Sequence, residues 1–397
     1  MLPRVPGTIR ALLPVLAVSA CSPEPVCVRS TVVDAYFEAK TQPELDALAG
    51  CEELHSLSLY PSELFGEPIT DLSPLSSVRV VRHFLSLRIP DVTTLAPLAG
   101  LTTVGAPRDG EDDEGSGHLD VEESGLTDLH GLENVGSEGD LRVISLLQNE
   151  RLTTLEGLPS LPHLLELRLN QNDNVVDLEG AGGLEAIDIL RCSSARLSSL
   201  DGLADDVVLG RLDVRGGRLT DLRSLPPSAS LAALTIGSID SLVEADLGGL
   251  PSLTSVGLGS LPALTRVAVP PPGTRENNAL ALDLTALQAL TDLEGLDAHA
   301  VLSSLAVVDN DALAALPLAG LQRVVHGVHI TFNGALSQAA LEERFATVDV
   351  AGSTKIAANA GWVVPAICPF VEDGQCDEPD VCAPATDAID CRPIEDE

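Results

Sequence analysis

Aromatic side chains are nearly missing from this chain: one Trp, two Tyr and six Phe among 397 residues. Any core must therefore be aliphatic. Basic residues are also scarce, 23 against 59 acidic ones, for a formal net charge of −36. That balance excludes a general nucleic-acid binder, which needs clustered Lys and Arg to displace phosphate counterions. It equally excludes a basic surface docking on anionic lipid headgroups. No stretch approaches the roughly 20 apolar residues of a membrane-spanning helix. Catalytic strings are missing too, with no G-x-S-x-G, H-E-x-x-H, Walker loop or dinucleotide fingerprint. Nothing marks an enzyme. What the chain does have is 45% apolar residues, enough to bury a large core.

Those apolar residues recur with a period. The pattern L-x-x-L-x-L-x-x-N/C is met by Leu141/Ile144/Leu146/Asn149 and Leu164/Leu167/Leu169/Asn172. It is met again by Leu184/Ile187/Ile189/Cys192, Leu302/Leu305/Val307/Asn310 and Val325/Val328/Ile330/Asn333. Less complete units centre on Leu57/Leu59, Leu85/Leu87, Leu119/Val121, Leu212/Val214, Leu234/Ile236, Val256/Leu258 and Leu282/Leu284. Successive centres lie 28, 34, 25, 23, 20, 25, 22, 22, 26, 23 and 23 residues apart. A second string follows in most units, for example Leu126-Thr-Asp-Leu-His-Gly-Leu132 and Leu152-Thr-Thr-Leu-Glu-Gly-Leu158.

In L-x-L the two apolar side chains share one face of a short strand and the residue between them takes the other. About five buried aliphatics per unit, at roughly 2 kcal/mol each, do not offset ordering some 22 residues at about 1.5 kcal/mol apiece. Units must therefore stack into a solenoid with one shared core. A coil this short leaves little chain for an outer helix, so 3₁₀ turns and irregular chain are expected there. The two registered motifs resemble the leucine-rich-repeat family in its short bacterial form, related to receptor L domains. The resemblance implies a curved right-handed coil with a parallel sheet on its concave face. It also implies an inward asparagine position bonding adjacent coils, and places Cys192 at that position as a structural residue. Gly217, Ile239, Leu261 and Leu287 stand at or near it elsewhere, which predicts less uniform coils in the middle. Leu264/Val267/Val269 offers a competing strand in that region.

The termini read differently. Residues 1–20 carry Arg4 and Arg10, then a short apolar run ending Val18-Ser19-Ala20-Cys21, which reads as an export signal. The ending resembles the lipobox of bacterial lipoproteins. It implies lipidation of Cys21, an anchor through lipid alone and, with Ser22 following, the outer membrane. In an exported chain cysteines pair. Cys27 and Cys51 form a local pair, and Cys368, Cys376, Cys382 and Cys391 form a separate module with three pairings open. The tail segments Asp373-Gly-Gln-Cys376-Asp377 and Asp387-Ala-Ile-Asp390-Cys391 resemble a Lin-12/Notch repeat, although that family carries six cysteines and this tail four. That resemblance implies Ca²⁺ as cofactor, with Asp387 and Asp390 as ligands and Asp373 and Asp377 as further candidates, since clustered carboxylates supply the oxygens Ca²⁺ prefers. The alternative is a metal-free acidic tail stapled by disulfides.

The expected organisation is thus a signal peptide (1–20), an N-terminal cap (21–52), a repeat solenoid (53–334), a C-terminal cap (335–362) opened by Ser337 as helix N-cap, and an acidic Cys-rich tail (363–397). Residues 108–117 read as an acidic surface loop lengthening one coil. The function expected is a binding module at the cell envelope that takes a protein or surface glycan on its strand face. The face residues read from the pattern are Glu166, Arg168, Asn170, Asp188, Arg211, Asp213 and Arg215. A smooth stretch follows at Thr235, Gly237, Ser255, Gly257, Gly259 and Ala268. The competing expectation is a structural envelope protein or spacer with no specific ligand.

Overall fold

The computed structural model describes residues 26–27, 32–61, 66–105, 116–225, 230–272 and 279–362. The export signal with Cys21, the tail with its four cysteines and candidate calcium ligands, and most of the acidic loop lie outside the described residues.

The chain is a parallel β-solenoid. Among the described residues its main sheet has 17 strands, all paired in parallel. Three of them, Val80–Val81, Thr103–Val104 and Asp349–Val350, are two-residue pieces alongside longer strands, which leaves 14, one per coil. The alternation expected of L-x-L holds along the ladder. Ile144 and Leu146 pair with Leu167 and Leu169 and all four are buried, while Ser145 and Arg168 between them take the other face. Leucine, isoleucine and valine from every coil merge into one continuous aliphatic core.

Opposite the sheet, the second motif turns the chain in two ways. Where proline precedes the last leucine, as Pro74 and Pro97 do, a 3₁₀ turn forms at Ser73–Leu75 and Ala96–Leu98; the fixed φ of proline favours this start. Where glycine stands instead, the backbone turns left-handed, with φ +96° at Gly157. A Cβ there would lie 2.2 Å from the carbonyl carbon of Leu129 in the preceding coil, so only glycine fits. The outer side is not wholly irregular. Glu244–Asp246, Arg266–Ala268 and Asp292–Glu294 form a second, three-stranded parallel sheet. The competing strand at Val267 therefore exists, but in this second sheet, and Ala268 leaves the strand face where the sequence reading put it.

The ends are closed by short elements. Cys27 and Cys51 are disulfide-bonded, and strand Val32–Ala39 pairs in parallel with Glu53–Leu59. Helix Gln42–Asp46 follows, its start held by Glu44, which accepts from the Thr41 N–H at 3.1 Å. At the other end Ser337 caps helix Gln338–Phe345 by accepting from the Ala340 N–H. The sheet does not stop at 334: Ser353–Ala357 pairs with Arg323–Thr331 as a further coil. The long unit before Leu119 is explained by an insertion within one strand line. Thr103–Val104 and His118–Glu122 pair with Val80–Val81 and Phe84–Arg88 in turn. Gly105 and Gly117 close the base of the excursion, where a Cβ on Gly105 would meet the Gly117 Cα at 2.3 Å.

Candidate functional site on the strand face

The ladder assigns each face residue by its partners. The residues between the inward leucines run Asp120, Ser145, Arg168, Arg191, Asp213, Thr235, Gly257 and Asp283 on successive strands. On one side lie His118, Val143, Glu166, Ile189 and Arg211; on the other lie Glu122, Leu147, Asn170, Ser193 and Arg215. Six of the seven residues read from the sequence thus fall together on Leu164–Asn170 and Val208–Arg215.

The strand between them, Ala186–Ser193, corrects the sequence reading. Leu167 and Leu169 pair with Leu190 and Cys192, not with Ile187 and Ile189. Leu190 and Cys192 are the inward pair, so Cys192 occupies the second leucine position and not the asparagine position. The asparagine role in this coil passes to buried Ser194, whose hydroxyl donates to the Asn172 carbonyl at 2.9 Å. Cys192 is a free, fully buried thiol, pushed up to about 12 by that burial. Asp188 stands near the strand's start, exposed, 3.1 Å from His163 Nε2. Arg191, which the slipped register hid, takes the central face position between Arg168 and Asp213. The spacings carried the signal: centres 20 and then 25 residues apart become 23 and 22 once the unit is shifted by three.

Four arginines consequently meet on three neighbouring strands. Glu166 bridges two of them. It is only 6% exposed, accepts from Arg168 Nη2 at 2.6 Å and lies 3.1 Å from Arg191 Nε. The Arg168 hydrogen bond and the two positive charges hold its carboxyl below the usual range. Arg168 is in turn held more strongly protonated by Glu166. Arg215 pairs with Asp213 at 3.1 Å, and Arg211 is exposed. Asp120, half-buried two strands away from Arg168, is pushed the other way: burial raises its pKa against the attraction of His118 and Arg168. The face continues into the smooth stretch of Thr235, Gly237, Ser255, Gly257 and Gly259.

The arrangement can present guanidinium groups, which favour planar oxyanions. Among the described residues no group of three or more His, Cys, Asp or Glu is placed to hold a metal ion, and no helix is long and apolar enough to cross a membrane. No protein-family model and no curated protein matches the chain.

Proposed function

We propose that this is an exported lipoprotein of the leucine-rich-repeat class, anchored through Cys21, that binds a protein or glycan partner on its strand face without catalysing a reaction. The observation carrying the reading is the arginine cluster. In a chain with 23 basic residues and a net charge of −36, Arg168, Arg191, Arg211 and Arg215 share three adjacent strands. Arginine is enriched at the energetic centres of interfaces, and the neighbouring glycines and serines allow close approach. Crosslinking capture on intact cells, repeated with Arg191→Glu, tests it. A specific partner lost in the variant supports the binding module. Identical capture by both forms would leave the spacer account standing.

A further inference from the structure

The strand face carries a second uncommon group beside the arginines. Both tyrosines of the chain lie on it, exposed, at the N-terminal coils: Tyr36 (53%) and Tyr60 (48%). The Phe84 ring sits 5.8 Å from that of Tyr36. Arg88 lies 4.8 Å over the Tyr60 ring and donates to its hydroxyl at 2.7 Å, which fixes the ring's orientation. In a molecule whose core is aliphatic these rings form two aromatic spots on the face, Tyr36 with Phe84 on the His118 side and Tyr60 with Arg88 on the Glu122 side. Amphipathic rings of this kind provide contact area at low entropic cost.

The arginine cluster begins three strand steps from Phe84, four from Tyr60 and five from Tyr36, roughly 14 to 24 Å along the face. Glu166 lies between two guanidinium groups, yet its buried Oε1 and the buried Arg168 Nε both have no hydrogen-bond partner. Arg211 makes no ion pair with any described residue. An incoming carboxylate can be met by Arg211 and by the exposed edges of Arg168 and Arg191. Remote acidic residues oppose an anion weakly, because charges beyond about 8 Å are screened at physiological salt.

We infer that the strand face takes an acidic polysaccharide, with uronate-type carboxylates on Arg168, Arg191, Arg211 and Arg215 and a sugar ring against Tyr36 and Phe84 or Tyr60. This rests on the strand face being a binding surface. A peptide is the poorer match. Interior strands are paired on both sides, so the face offers no free backbone edge for strand addition, and an acidic peptide would leave the exposed rings without a role.

The full chain is titrated with galacturonate and glucuronate oligomers, neutral dextran oligomers and poly-glutamate. The expected result is saturable binding of a uronate oligomer, weakened at least tenfold by Arg191→Glu or by high salt. Tyr36→Ala should weaken it several-fold with its salt dependence unchanged, and dextran should not bind. Unfolding curves of each variant confirm that the fold persists. Failure of both uronates to bind, or poly-glutamate binding as tightly and indifferently to Tyr36→Ala, overturns the inference. Crosslinking capture separates the two levels: a partner lost in Arg191→Glu while no uronate binds removes the polysaccharide and keeps the face as a binding surface.

Discussion

Two kinds of coil share one core and solve the same problem differently. In the coils of Asn149 and Asn172, and again of Asn310, Asn333 and Asn359, buried asparagines bond from coil to coil. Asn333 accepts from the Asn310 N–H at 3.0 Å and donates to the Val307 carbonyl at 2.9 Å; Asn359 repeats the pattern one coil on, at 3.2 and 2.9 Å. Between these blocks, Ile239, Leu261 and Leu287 occupy the position, each 0% exposed. They add aliphatic burial, roughly 1.5–3 kcal/mol per side chain. The N–H groups of Ile239 and Leu261 meet no acceptor among the described residues, whereas Leu287 is served by Asn310 from the next coil. The difference teaches that the stacking itself needs only apolar side chains, while the asparagines complete the backbone's hydrogen bonding. The laddered blocks should open last and the aliphatic block first.

The largest expected effect comes from exchanging the two solutions. Asn333→Leu leaves the Val307 carbonyl and the Asn310 N–H unpaired inside the core and should cost about 3 kcal/mol or more, read as a lowered denaturation midpoint. Leu261→Asn should also destabilise, by about 2 kcal/mol, because a fully buried aliphatic side chain is exchanged for an amide that has only the Ile239 N–H to accept from at that position. A stabilising Leu261→Asn would show that the middle coils lack only an amide, and the contrast between blocks would collapse.

A smaller effect belongs to the face of the first block. Burial holds the folded-state pKa of Asp120 above its unfolded value, so its charged form opposes folding at neutral pH, and that opposition fades as pH falls through the raised pKa. Asp120→Asn should therefore raise the melting temperature at pH 7 and give progressively less benefit toward pH 4. A constant difference across that range would contradict the burial argument.

The smallest effect should be at the turn entering the asparagine position. Gln148, Gln171, Ser238, Ser260, Ala286, Asp309, Phe332 and Ala358 all hold φ between +52° and +60° immediately before it, in both kinds of coil. Six of them, all but Phe332 and Ala358, donate their N–H to the next coil, as Ala286 does to Val308 at 2.9 Å. Left-handed backbone costs a non-glycine residue about 1 kcal/mol. Ala286→Gly should accordingly be neutral or stabilising by up to about 1 kcal/mol, partly offset by glycine's unfolded-state entropy. Marked destabilisation in chemical denaturation would mean that the turn is held by side-chain packing.

Much of this was legible in the sequence because period and chemistry agree. L-x-L fixes which residues face in, so the order of coils and most of the strand face followed directly. Ser337 as a cap and the Cys27–Cys51 pair followed from local rules. Misreading came where two apolar frames overlap: Leu184/Ile187/Ile189 satisfies the full pattern by ending on Cys192, whereas Ile187/Leu190/Cys192 keeps only its apolar spacing and ends on Ala195. Only the neighbours' register decides between them. The second sheet was hidden for a related reason, since Ala245, Val267 and Leu293 belong to strands of three residues, too short for alternation to show. The arginine cluster was half visible, and Arg191 emerged only when tertiary pairing placed it.

The register at that strand is the claim on which the site depends, and thiol labelling of the native protein tests it most directly. Peptide mapping after a brief maleimide pulse should find Cys192 unmodified in the wild type, since its thiol is buried and protonated. In Arg191→Cys the introduced thiol should label rapidly while Cys192 stays protected, and both should react once the chain is unfolded. Rapid labelling of native Cys192, with position 191 shielded, would contradict the account: Arg191 would then lie inside the solenoid and the arginine cluster would not exist.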